Sequence, residues 1–289
     1  MKNLTICYTV GGHDVHYDNM LRSIKSIRDH GCDCKILVRE FGSKLLSNED
    51  FEVISLPDEI DFNSGKKVGY LVWRQKYKIA LDVKTEYGMY LDSDTVMASN
   101  NLPQIIEMIK DGIGVTQHFW VPTIGMYEKN VATDSTGKTK KEFLQVKEMI
   151  NANDATPFYA GGAFVFANTS KNKKIFEKVL EWYDEYYDED QGYVKSITDE
   201  LFLAGAIESL GVNKFVLGGG FNHCSMGDEH MPMAIYNGVL VGRNPYENYW
   251  SPVTILHCDI SRRDPSENYS GDLRDIIRKK FYMEGKDES

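Results

Sequence analysis

The sequence predicts an α/β protein with one mainly parallel, twisted sheet flanked by helices. Short apolar runs rich in β-formers, such as residues 4–10, alternate with amphipathic segments such as residues 20–27. The opening order of strand, helix and strand is typical of parallel strands joined by a right-handed crossover. Hydrophobic residues make up 42% and charged residues 26% of the 289-residue chain, which is the composition of a globular protein with an ordinary core.

The first hundred residues supply the opening unit and the two elements after it. Gly11-Gly12 ends the first strand, and Gly31 closes the first helix. The predicted elements of this part are a strand at 4–10, a helix through 20–27, strands at 35–41 and 51–56, a helix at 70–83 and a strand at 87–91. The last of these strands is short and buried, and it ends on Asp92.

The rest of the chain continues the alternation with two interruptions. The predicted elements are a helix from Pro103 to Gly112, strands at 113–116 and 158–166, helices at 168–187 and 197–210, a strand at 253–257 and a helix at 273–281. The polar segment 127–137 is predicted to be a mobile surface loop, and the Gly- and Tyr-rich segment 217–250 is predicted to consist of loops. The acidic run 184–190 is interpreted as a solvated helix end. No repeat or linker divides the chain, so one domain spanning 1–289 is expected.

Charge and cysteine content exclude several classes of protein. A net charge of -10 argues against a nucleic-acid or anionic-membrane surface, since either needs a basic stripe. An acidic protein can still bind a phosphorylated ligand when a divalent cation bridges the two. No run approaches the roughly 20 apolar residues of a membrane helix, and no signal-peptide pattern opens the chain. Five cysteines without framework or zinc spacing predict reduced thiols and a cytoplasmic protein.

The strongest local signal is Asp92-Ser93-Asp94 at the end of the predicted strand 87–91. Open α/β sheets bind their ligands at the carboxyl ends of their strands. Two carboxylates one residue apart in an irregular turn can reach one hard cation, and Mg²⁺ or Mn²⁺ prefers such oxygen ligands. That cation would neutralise a diphosphate and stabilise it as a leaving group. A strand-ending turn with solvated aspartates is the structural alternative.

This motif, in mid-chain behind a strand–helix–strand opening, resembles the GT-A superfamily of nucleotide-sugar-dependent glycosyltransferases. The resemblance spans most of the chain through the order of its elements, and it implies a Rossmann-like GT-A fold. In that family the Asp-x-Asp motif binds the metal and the donor diphosphate, which implies these roles for Asp92, Ser93 and Asp94. The end of the first strand holds the nucleoside there, which makes Thr9, Val10 and Gly11 the candidate contacts.

The helix before the metal motif resembles one that reaches toward the donor in these enzymes. It contains Trp73, Arg74, Gln75 and Lys78. The resemblance implies that Arg74 and Lys78 bind the donor. A surface helix with basic residues is an equal alternative.

Two segments are similar to the retaining, blood-group-type galactosyltransferases. Gly161 and Gly162 match small residues that let the backbone approach the sugar, although they also suit the entry to a strand. Asp199 and Glu200 resemble an Asp-Glu pair at a helix start, where carboxylates are also common as N-terminal residues. The resemblance implies that one carboxylate binds donor-sugar hydroxyls. The other would face the anomeric carbon and stabilise its positive charge or act as the nucleophile.

His257 closes an apolar strand and resembles the third metal ligand of the glycogenin-type transferases. Those enzymes continue with glycine and then Lys-Pro-Trp, whereas this chain continues with Cys258 and reaches Arg262-Arg263. Arg262 and Arg263 still provide a positive charge where these enzymes bind the diphosphate, and arginine can bind a phosphate with two hydrogen bonds. A lone histidine at a strand end is also commonly structural.

Together these resemblances imply transfer of a sugar from a nucleoside-diphosphate sugar to a hydroxyl acceptor, itself expected to be a carbohydrate. A UDP-sugar donor, Mn²⁺ or Mg²⁺ as the cofactor and retention of anomeric configuration are favoured. Residues 1–100 would form the nucleotide-binding half, and residues 101–289 would hold the donor sugar and the acceptor.

Two other classes of function stay open. The segment 90–96 also resembles the first motif of haloacid-dehalogenase-type phosphatases, in which Asp92 would attack phosphorus and Asp94 would act as acid and base. That motif normally lies on the first strand of its domain, and the nearest candidate for the later acidic pair is Asp228-Glu229. The third possibility is a non-catalytic protein that binds nucleotides or carbohydrates. Neither a Walker A loop nor a Gly-x-Gly-x-x-Gly fingerprint is present, so P-loop and dehydrogenase functions lack support.

Overall fold

The computed structural model describes most of the chain. The described residues are 1–56, 60, 69–119, 121–130, 138–188, 193–194, 199–224, 231–257, 266 and 269–282. The predicted phosphate-binding residues Arg262 and Arg263 lie outside these ranges, as do Asp228, Glu229 and positions 131–137 of the predicted mobile loop.

The amino-terminal elements follow the predicted order closely. They are β1 (Leu4–Val10), α1 (Asp14–Asp29), β2 (Lys35–Glu40), β3 (Glu52–Ser55), α2 (Gly69–Asp82), β4 (Tyr87–Leu91), β5 (Thr95–Met97), α3 (Leu102–Ile109) and β6 (Ile113–Gln117). Every strand and helix predicted before residue 117 is confirmed within a few residues, except that the first helix begins earlier, at Asp14, and that β5 was not predicted.

The carboxyl-terminal part contains both predicted and unpredicted elements. They are α4 (Ile124–Asn130), α5 (Lys138–Met149), β7 (Tyr159–Ala167), α6 (Ser170–Tyr186), β8 (Tyr187–Asp188), β9 (Tyr193–Val194), α7 (Asp199–Leu210), β10 (Lys214–Leu217), β11 (Asn222–Cys224), β12 (Met233–Tyr236), β13 (Val239–Gly242), β14 (Ser251–Pro252), β15 (Ile255–His257) and α8 (Gly271–Tyr282). None of the described helices has the length and hydrophobicity needed to span a membrane.

The main sheet has seven strands in the order β10-β6-β7-β4-β1-β2-β3. Its neighbouring strands pair in parallel except at β7, which runs antiparallel to both β4 and β6. The carboxyl ends of β1, β4, β6 and β10 therefore meet the amino end of β7 at one edge. The mainly parallel α/β sheet expected from the sequence is confirmed.

Helices cover both faces of this sheet, which is why its central strands are continuous apolar runs. Along β1 the side chains alternate, so that Ile6 and Tyr8 pack with α1 and α3 whereas Cys7 packs with α2, α6 and α7. Aromatic rings dominate the second face, where Phe164 stacks on Tyr77 and Phe176 lies 5.6 Å from Phe164. Such a core holds the carboxyl edge of the sheet rigidly.

The predicted loop at 127–137 is wrong where the structure describes it. Residues 124–130 form α4, and Tyr127 stacks on Phe158 with a centroid distance of 4.8 Å and lies 5.5 Å from Phe143 of α5. Local composition indicated a loop, but burial of this aromatic contact stabilises the helix. α5 was not predicted at all.

The prediction that 217–250 consists of loops is also wrong in part. β11 joins a three-stranded sheet with β15 and β5, and β12 pairs with β13 in an antiparallel hairpin. The hairpin turns at Asn237 and Gly238, whose φ angles of 48° and 77° suit a two-residue turn. Asn-Gly between β-formers was the sequence signal for this hairpin.

The predicted solvated helix end at 184–190 is confirmed where side-chain burial is described, since Asp184 and Glu185 at the end of α6 are exposed. Asp184 forms an ion pair with Arg74 of α2, so the carboxyl end of α6 is tied to its neighbouring helix. Tyr187 and Asp188 continue into the short strand β8.

Candidate functional site

A set of three residues that could hold a metal ion lies at the carboxyl edge of the main sheet. Asp92, Asp94 and His257 each offer one ligand atom, and these atoms all lie within 4.8 Å of one another. The Nε2 atom of His257 lies 3.2 Å from Asp94 Oδ1 and 3.8 Å from Asp92 Oδ2. Two carboxylates and an imidazole form a donor set that suits a divalent cation.

Strand pairing explains how residues 163 positions apart in the sequence meet. Asp92 follows β4, and its backbone N–H donates to Gly162 O at 2.8 Å, while Thr95 Oγ1 donates to Asp92 O at 2.8 Å and closes the turn. β15 then pairs antiparallel with β5, so that His257 lies opposite Thr95. The small sheet formed by β11, β15 and β5 therefore delivers the histidine to the two aspartates.

Gly162 is required by this close packing. A Cβ atom built on it would lie 2.3 Å from His257 Cε1 and 3.0 Å from Asp92 Oδ2. No side chain fits at such distances, so the backbone of Gly162 packs directly against the cluster. The prediction that Gly162 permits a close approach fits this geometry, although what it approaches here is the histidine.

The charges of the three residues depend on one another. Burial, together with the neighbouring Asp94, raises the pKa of Asp92, although Lys76 and His257 oppose this. Burial also acts to raise the pKa of Asp94, but the adjacent His257 outweighs it and the pKa is lowered. For His257, burial alone would lower the pKa, yet the two aspartates raise it to about 9. A protonated histidine thus supplies the positive charge that a bound cation would bring.

Lys76 is a central residue of the site that the sequence analysis missed. Its ammonium lies 2.8 Å from Asp199 Oδ2 and 3.6 Å from Asp92 Oδ1, and its side chain is only 5% exposed. Burial acts to lower the pKa of Lys76, but Asp199 and Asp92 outweigh it and the pKa is raised. Lys76 therefore remains charged and links the metal-binding residues to the start of α7.

A sequence signal for Lys76 existed. It precedes Ile79, Ala80 and Val83 at the spacing of one buried helix face, and a charged residue on such a face needs a buried partner. Arg74 and Lys78, which were predicted to bind the donor, lie two positions to either side, about 200° around the helix. The structure places Arg74 against Asp184 at the end of α6, whereas Lys76 contacts Asp92 and Asp199.

Asp199 and Glu200, predicted to face the sugar, lie together at the first turn of α7. Asp199 Oδ2 accepts a hydrogen bond from Tyr77 OH at 3.1 Å in addition to the contact with Lys76. Glu200 Oε1 accepts one from the backbone N–H of Gly161 at 3.0 Å. Burial and the neighbouring Asp199 raise the pKa of Glu200 to about 7.

Gly161 lies directly beside this pair. A Cβ atom on it would lie 3.1 Å from Glu200 Cγ and 3.2 Å from Asp199 Oδ2. Gly162 of β7 therefore leaves room for the metal-binding residues, and Gly161 leaves room for the carboxylates of α7.

The predicted nucleoside contacts lie at the end of β1, next to β4. Thr9 Oγ1 lies 3.1 Å from Tyr90 OH, which donates to Asp92 Oδ1 at 2.8 Å. Val10 and Gly11 are both buried, so a ligand could contact Val10 only through its backbone. Ser93 lies between the two aspartates and is partly exposed.

His118, which the sequence analysis did not select, forms the outer side of the site. It follows β6, and its Nε2 atom lies 3.8 Å from Glu200 Oε2. Burial lowers the pKa of His118 to about 4, so this contact is not an ion pair at neutral pH. The available signal was the same as for His257, a histidine at the end of an apolar strand.

Several solved structures share this fold. The galactosyltransferase LgtC, solved in complex with donor and acceptor sugar analogues, matches with a TM-score of 0.59 and 14% identity over 98% of both chains. The glycosyltransferase GlyE of Streptococcus pneumoniae TIGR4 matches with a TM-score of 0.52 and 12% identity, over 98% of this chain and 61% of that chain. Mouse xyloside xylosyltransferase 1 in its apo form matches with a TM-score of 0.50 and 10% identity, over 90% of this chain and 99% of that chain.

No protein-family model matches the sequence, and no curated protein matches it. At identities of 10–14% the structural likeness shows the fold alone.

Proposed function

Since this chain has the fold of the GT-A glycosyltransferases, we propose that it transfers a sugar from a nucleoside-diphosphate sugar to a hydroxyl acceptor, in a metal-dependent reaction. The convergence of Asp92, Asp94 and His257 at the carboxyl edge of the sheet carries the proposal. Ligands of open α/β sheets bind at this edge, and the donor set suits Mn²⁺ or Mg²⁺. When bound, the metal would neutralise the diphosphate and make it a better leaving group.

The residues around the metal set then have distinct roles in the proposal. Lys76 holds Asp199 in place and balances its charge against that of Asp92. Asp199, which Lys76 joins to the metal-binding residues, faces the anomeric carbon and stabilises its positive charge or attacks it. Glu200, held by the N–H of Gly161, binds a hydroxyl of the donor sugar.

The finer assignments rest on the family resemblance. A UDP-sugar donor, a hexosyl group, a carbohydrate acceptor and retention of configuration are proposed on that ground. Thr9, Val10 and Gly11 would contact the nucleoside, and Ser93 would contact the donor. Arg262 or Arg263 would bind the diphosphate. Residues 1–100 would form the nucleotide-binding half. With retention no strong general base is needed, because the departing phosphate can accept the acceptor's proton.

The two rival functions fare differently. A haloacid-dehalogenase-type phosphatase is not supported, because Asp92 follows the fourth strand of the chain rather than the first, and LgtC and the xylosyltransferase, which share this fold, are glycosyltransferases. A non-catalytic binding protein would keep the same pocket, so turnover has to distinguish it from the enzyme.

Calorimetry with UDP, GDP and their sugars, with and without Mn²⁺, tests the proposal. We expect one nucleotide to bind only with the metal, and Asp94→Ala to lose that binding because a ligand is removed. Asp29→Ala is the matched control, since Asp29 pairs with Lys25 on the outer face of α1. Release of the nucleoside diphosphate from its sugar would then establish turnover.

Two results would contradict the proposal. Absence of nucleotide binding combined with Mg²⁺-dependent hydrolysis of a phosphomonoester would favour the phosphatase. Metal-dependent binding of a nucleotide sugar without release of the diphosphate, even over days and with an excess of sugar acceptors, would favour the binding protein.

A further inference from the structure

The two carboxylate oxygens of Asp92 have different surroundings. Tyr90 OH donates a hydrogen bond of 2.8 Å to Oδ1, and the ammonium of Lys76 lies 3.6 Å from the same atom. The other oxygen, Oδ2, lies 3.8 Å from Nε2 of His257, which belongs to the metal-binding set. Oδ1 is therefore engaged by the protein, and Oδ2 is the oxygen that faces the histidine.

A second hydroxyl lies behind the phenol of Tyr90. Thr9 Oγ1 lies 3.1 Å from Tyr90 OH, and both residues are buried. A phenol has one proton, and Tyr90 donates it to Asp92 because an ionised carboxylate only accepts hydrogen bonds. The hydroxyl of Thr9 must therefore donate to Tyr90. This chain of hydrogen bonds runs in one direction, from Thr9 toward Asp92.

The backbone carbonyl of Asp92 is the end of a second chain of hydroxyls. Thr95 Oγ1 donates its one proton to Asp92 O at 2.8 Å. Ser23 Oγ, 3.2 Å from Thr95 Oγ1, therefore donates to Thr95, and Tyr8 OH, 2.7 Å from Ser23 Oγ, donates to Ser23. All three of these side chains are buried, and Ser23 belongs to α1. A helix that supplies no metal-binding residue thus holds the turn at Asp92.

The two chains together indicate more than ordinary packing. Buried hydroxyls need partners in any protein core, so one such chain could serve packing alone. Here Tyr90 belongs to the core on one face of the sheet and Tyr8 to the core on the other, yet both chains end on Asp92. Hydrogen bonds that run in one direction polarise one another, which strengthens the bond at the end of the chain. Groups that orient a metal ligand in this way control its affinity for the metal.

We propose that Tyr90 is a positioning residue for the bound metal: it holds Oδ1 of Asp92 so that Oδ2 is directed at the cation, and Thr9 supports it from behind. The proposal rests on the proposed metal-dependent function and deepens it. Tyr90 acts through Asp92 and is not itself a ligand. Because the proton of the Thr9 hydroxyl is committed to Tyr90, Thr9 can only accept a hydrogen bond from a nucleoside.

Tyr90→Phe tests the proposal, because it removes the hydrogen bond and keeps the ring, which stacks on Phe164 with a centroid distance of 5.3 Å. Titration with Mn²⁺, followed by electron paramagnetic resonance, measures the affinity for the metal itself; UDP is added to every sample if the wild type requires it. We expect Tyr90→Phe to weaken Mn²⁺ binding about 10–100-fold.

Tyr159→Phe is the matched control. It also removes the hydrogen bond from a buried phenol to a carboxylate, since Tyr159 OH donates to Glu208 Oε1 at 2.7 Å. Glu208 does not belong to the metal-binding set, so the affinity of this variant for Mn²⁺ should equal that of the wild type.

Two variants of Thr9 test the support behind Tyr90, and they decide the matter if Tyr90→Phe does not fold. Thr9→Val removes the hydroxyl and should weaken Mn²⁺ binding, although less than Tyr90→Phe does, because the phenol still donates to Asp92. Thr9→Ser keeps the hydroxyl and should bind Mn²⁺ like the wild type. If Thr9 served packing alone, the order would be reversed, because only Thr9→Ser removes buried volume.

The outcomes separate this inference from the proposed function. A wild type that binds Mn²⁺ neither alone nor with UDP would refute the proposed function, and the inference with it. If the wild type binds Mn²⁺ and both Tyr90→Phe and Thr9→Val bind it equally well, only the inference is overturned. Equal weakening by Tyr90→Phe and Tyr159→Phe also overturns it, because the effect would then be a general loss of stability.

Discussion

Two glutamates at the same edge of the sheet, the buried Glu40 and the partly exposed Glu200, have pKa values that are shifted in opposite directions. Glu40 at the end of β2 is fully buried, and its carboxylate accepts hydrogen bonds from Tyr17 OH at 2.7 Å and from the backbone N–H groups of Gly42 and Lys44 at 2.7 and 3.0 Å. Burial acts to raise the pKa of Glu40, but these donors outweigh it and lower the pKa. Burial instead dominates at Glu200 and raises its pKa to about 7, with Asp199 adding to the effect.

The two carboxyl groups differ in the hydrogen-bond donors and charged groups around them. The donors around Glu40 are a phenol, backbone amides and the Ser55 hydroxyl, so the cluster stabilises one ionised carboxylate. Glu200 has one backbone donor on Oε1 and carboxylate neighbours. A cluster with like charges close together loses stability and gains the capacity to bind a ligand, which is the usual character of functional sites.

Lys76→Met should have the largest effect on stability. Removing this buried cation leaves Asp92 and Asp199 without their shared partner, and breaking a buried ion pair costs about 3–5 kcal/mol of unfolding free energy. Urea denaturation measures the loss, and added Mn²⁺ should recover part of it because the cation restores positive charge near Asp92. A loss below about 1 kcal/mol would mean that the cluster does not depend on Lys76.

Glu200→Gln should change how stability depends on pH. The pKa of Glu200 is about 7 in the folded protein, above its ordinary value of 4.5, so the folded state binds the extra proton between these values. The carboxyl therefore contributes stability that is fully present below pH 4.5 and lost as the pH rises through 7. Relative to wild type, the metal-free variant should gain roughly 2–3 kcal/mol between pH 4.5 and 8. A constant difference over this window would contradict the raised pKa.

Glu40→Gln should change the pH dependence of stability in the opposite direction. The lowered pKa means that the Glu40 carboxylate stabilises the fold above pH 4.5 and that this contribution is lost as the pH falls through the folded-state pKa. We expect the variant to lose about 2 kcal/mol at pH 7, since hydrogen bonds to a charged group are removed, and less at pH 3. Its Mn²⁺ and nucleotide affinities should not change. A loss that grows toward acid pH would refute the comparison.

Tyr17→Phe should show the smallest effect. It removes one hydrogen bond to Glu40 and leaves the other described donors in place, so we expect a loss of about 1 kcal/mol at pH 7. In the Glu40→Gln background the loss should shrink, because the phenol then donates to a neutral amide. Denaturation of the two single variants and the double variant measures this coupling, and strict additivity would contradict it.

The sequence predictions were most accurate for elements that are determined by neighbouring residues in the sequence. β1 and β4 are buried on both faces, so their residues are apolar without interruption and the strands were predictable from local composition. α4 and α5 were missed because their helical state depends on Tyr127 packing against Phe143 and Phe158, which are distant in the sequence. The hairpin of β12 and β13 was missed although its Asn237-Gly238 turn was a local signal.

Local patterns were sufficient to predict the α/β class, the parallel opening unit and the metal-binding carboxylates Asp92 and Asp94, because an apolar strand that ends in carboxylates is a local pattern. His257 was predicted from the family resemblance. The partners of these side chains became known from the tertiary structure, which shows that Lys76 contacts both Asp92 and Asp199 and that His118 faces Glu200 at 3.8 Å. Those facts depend on helix rotation and on the antiparallel insertion of β7 between β6 and β4. Local spacing could place Lys76 on a buried helix face, but its partners come from elements that are distant in the sequence.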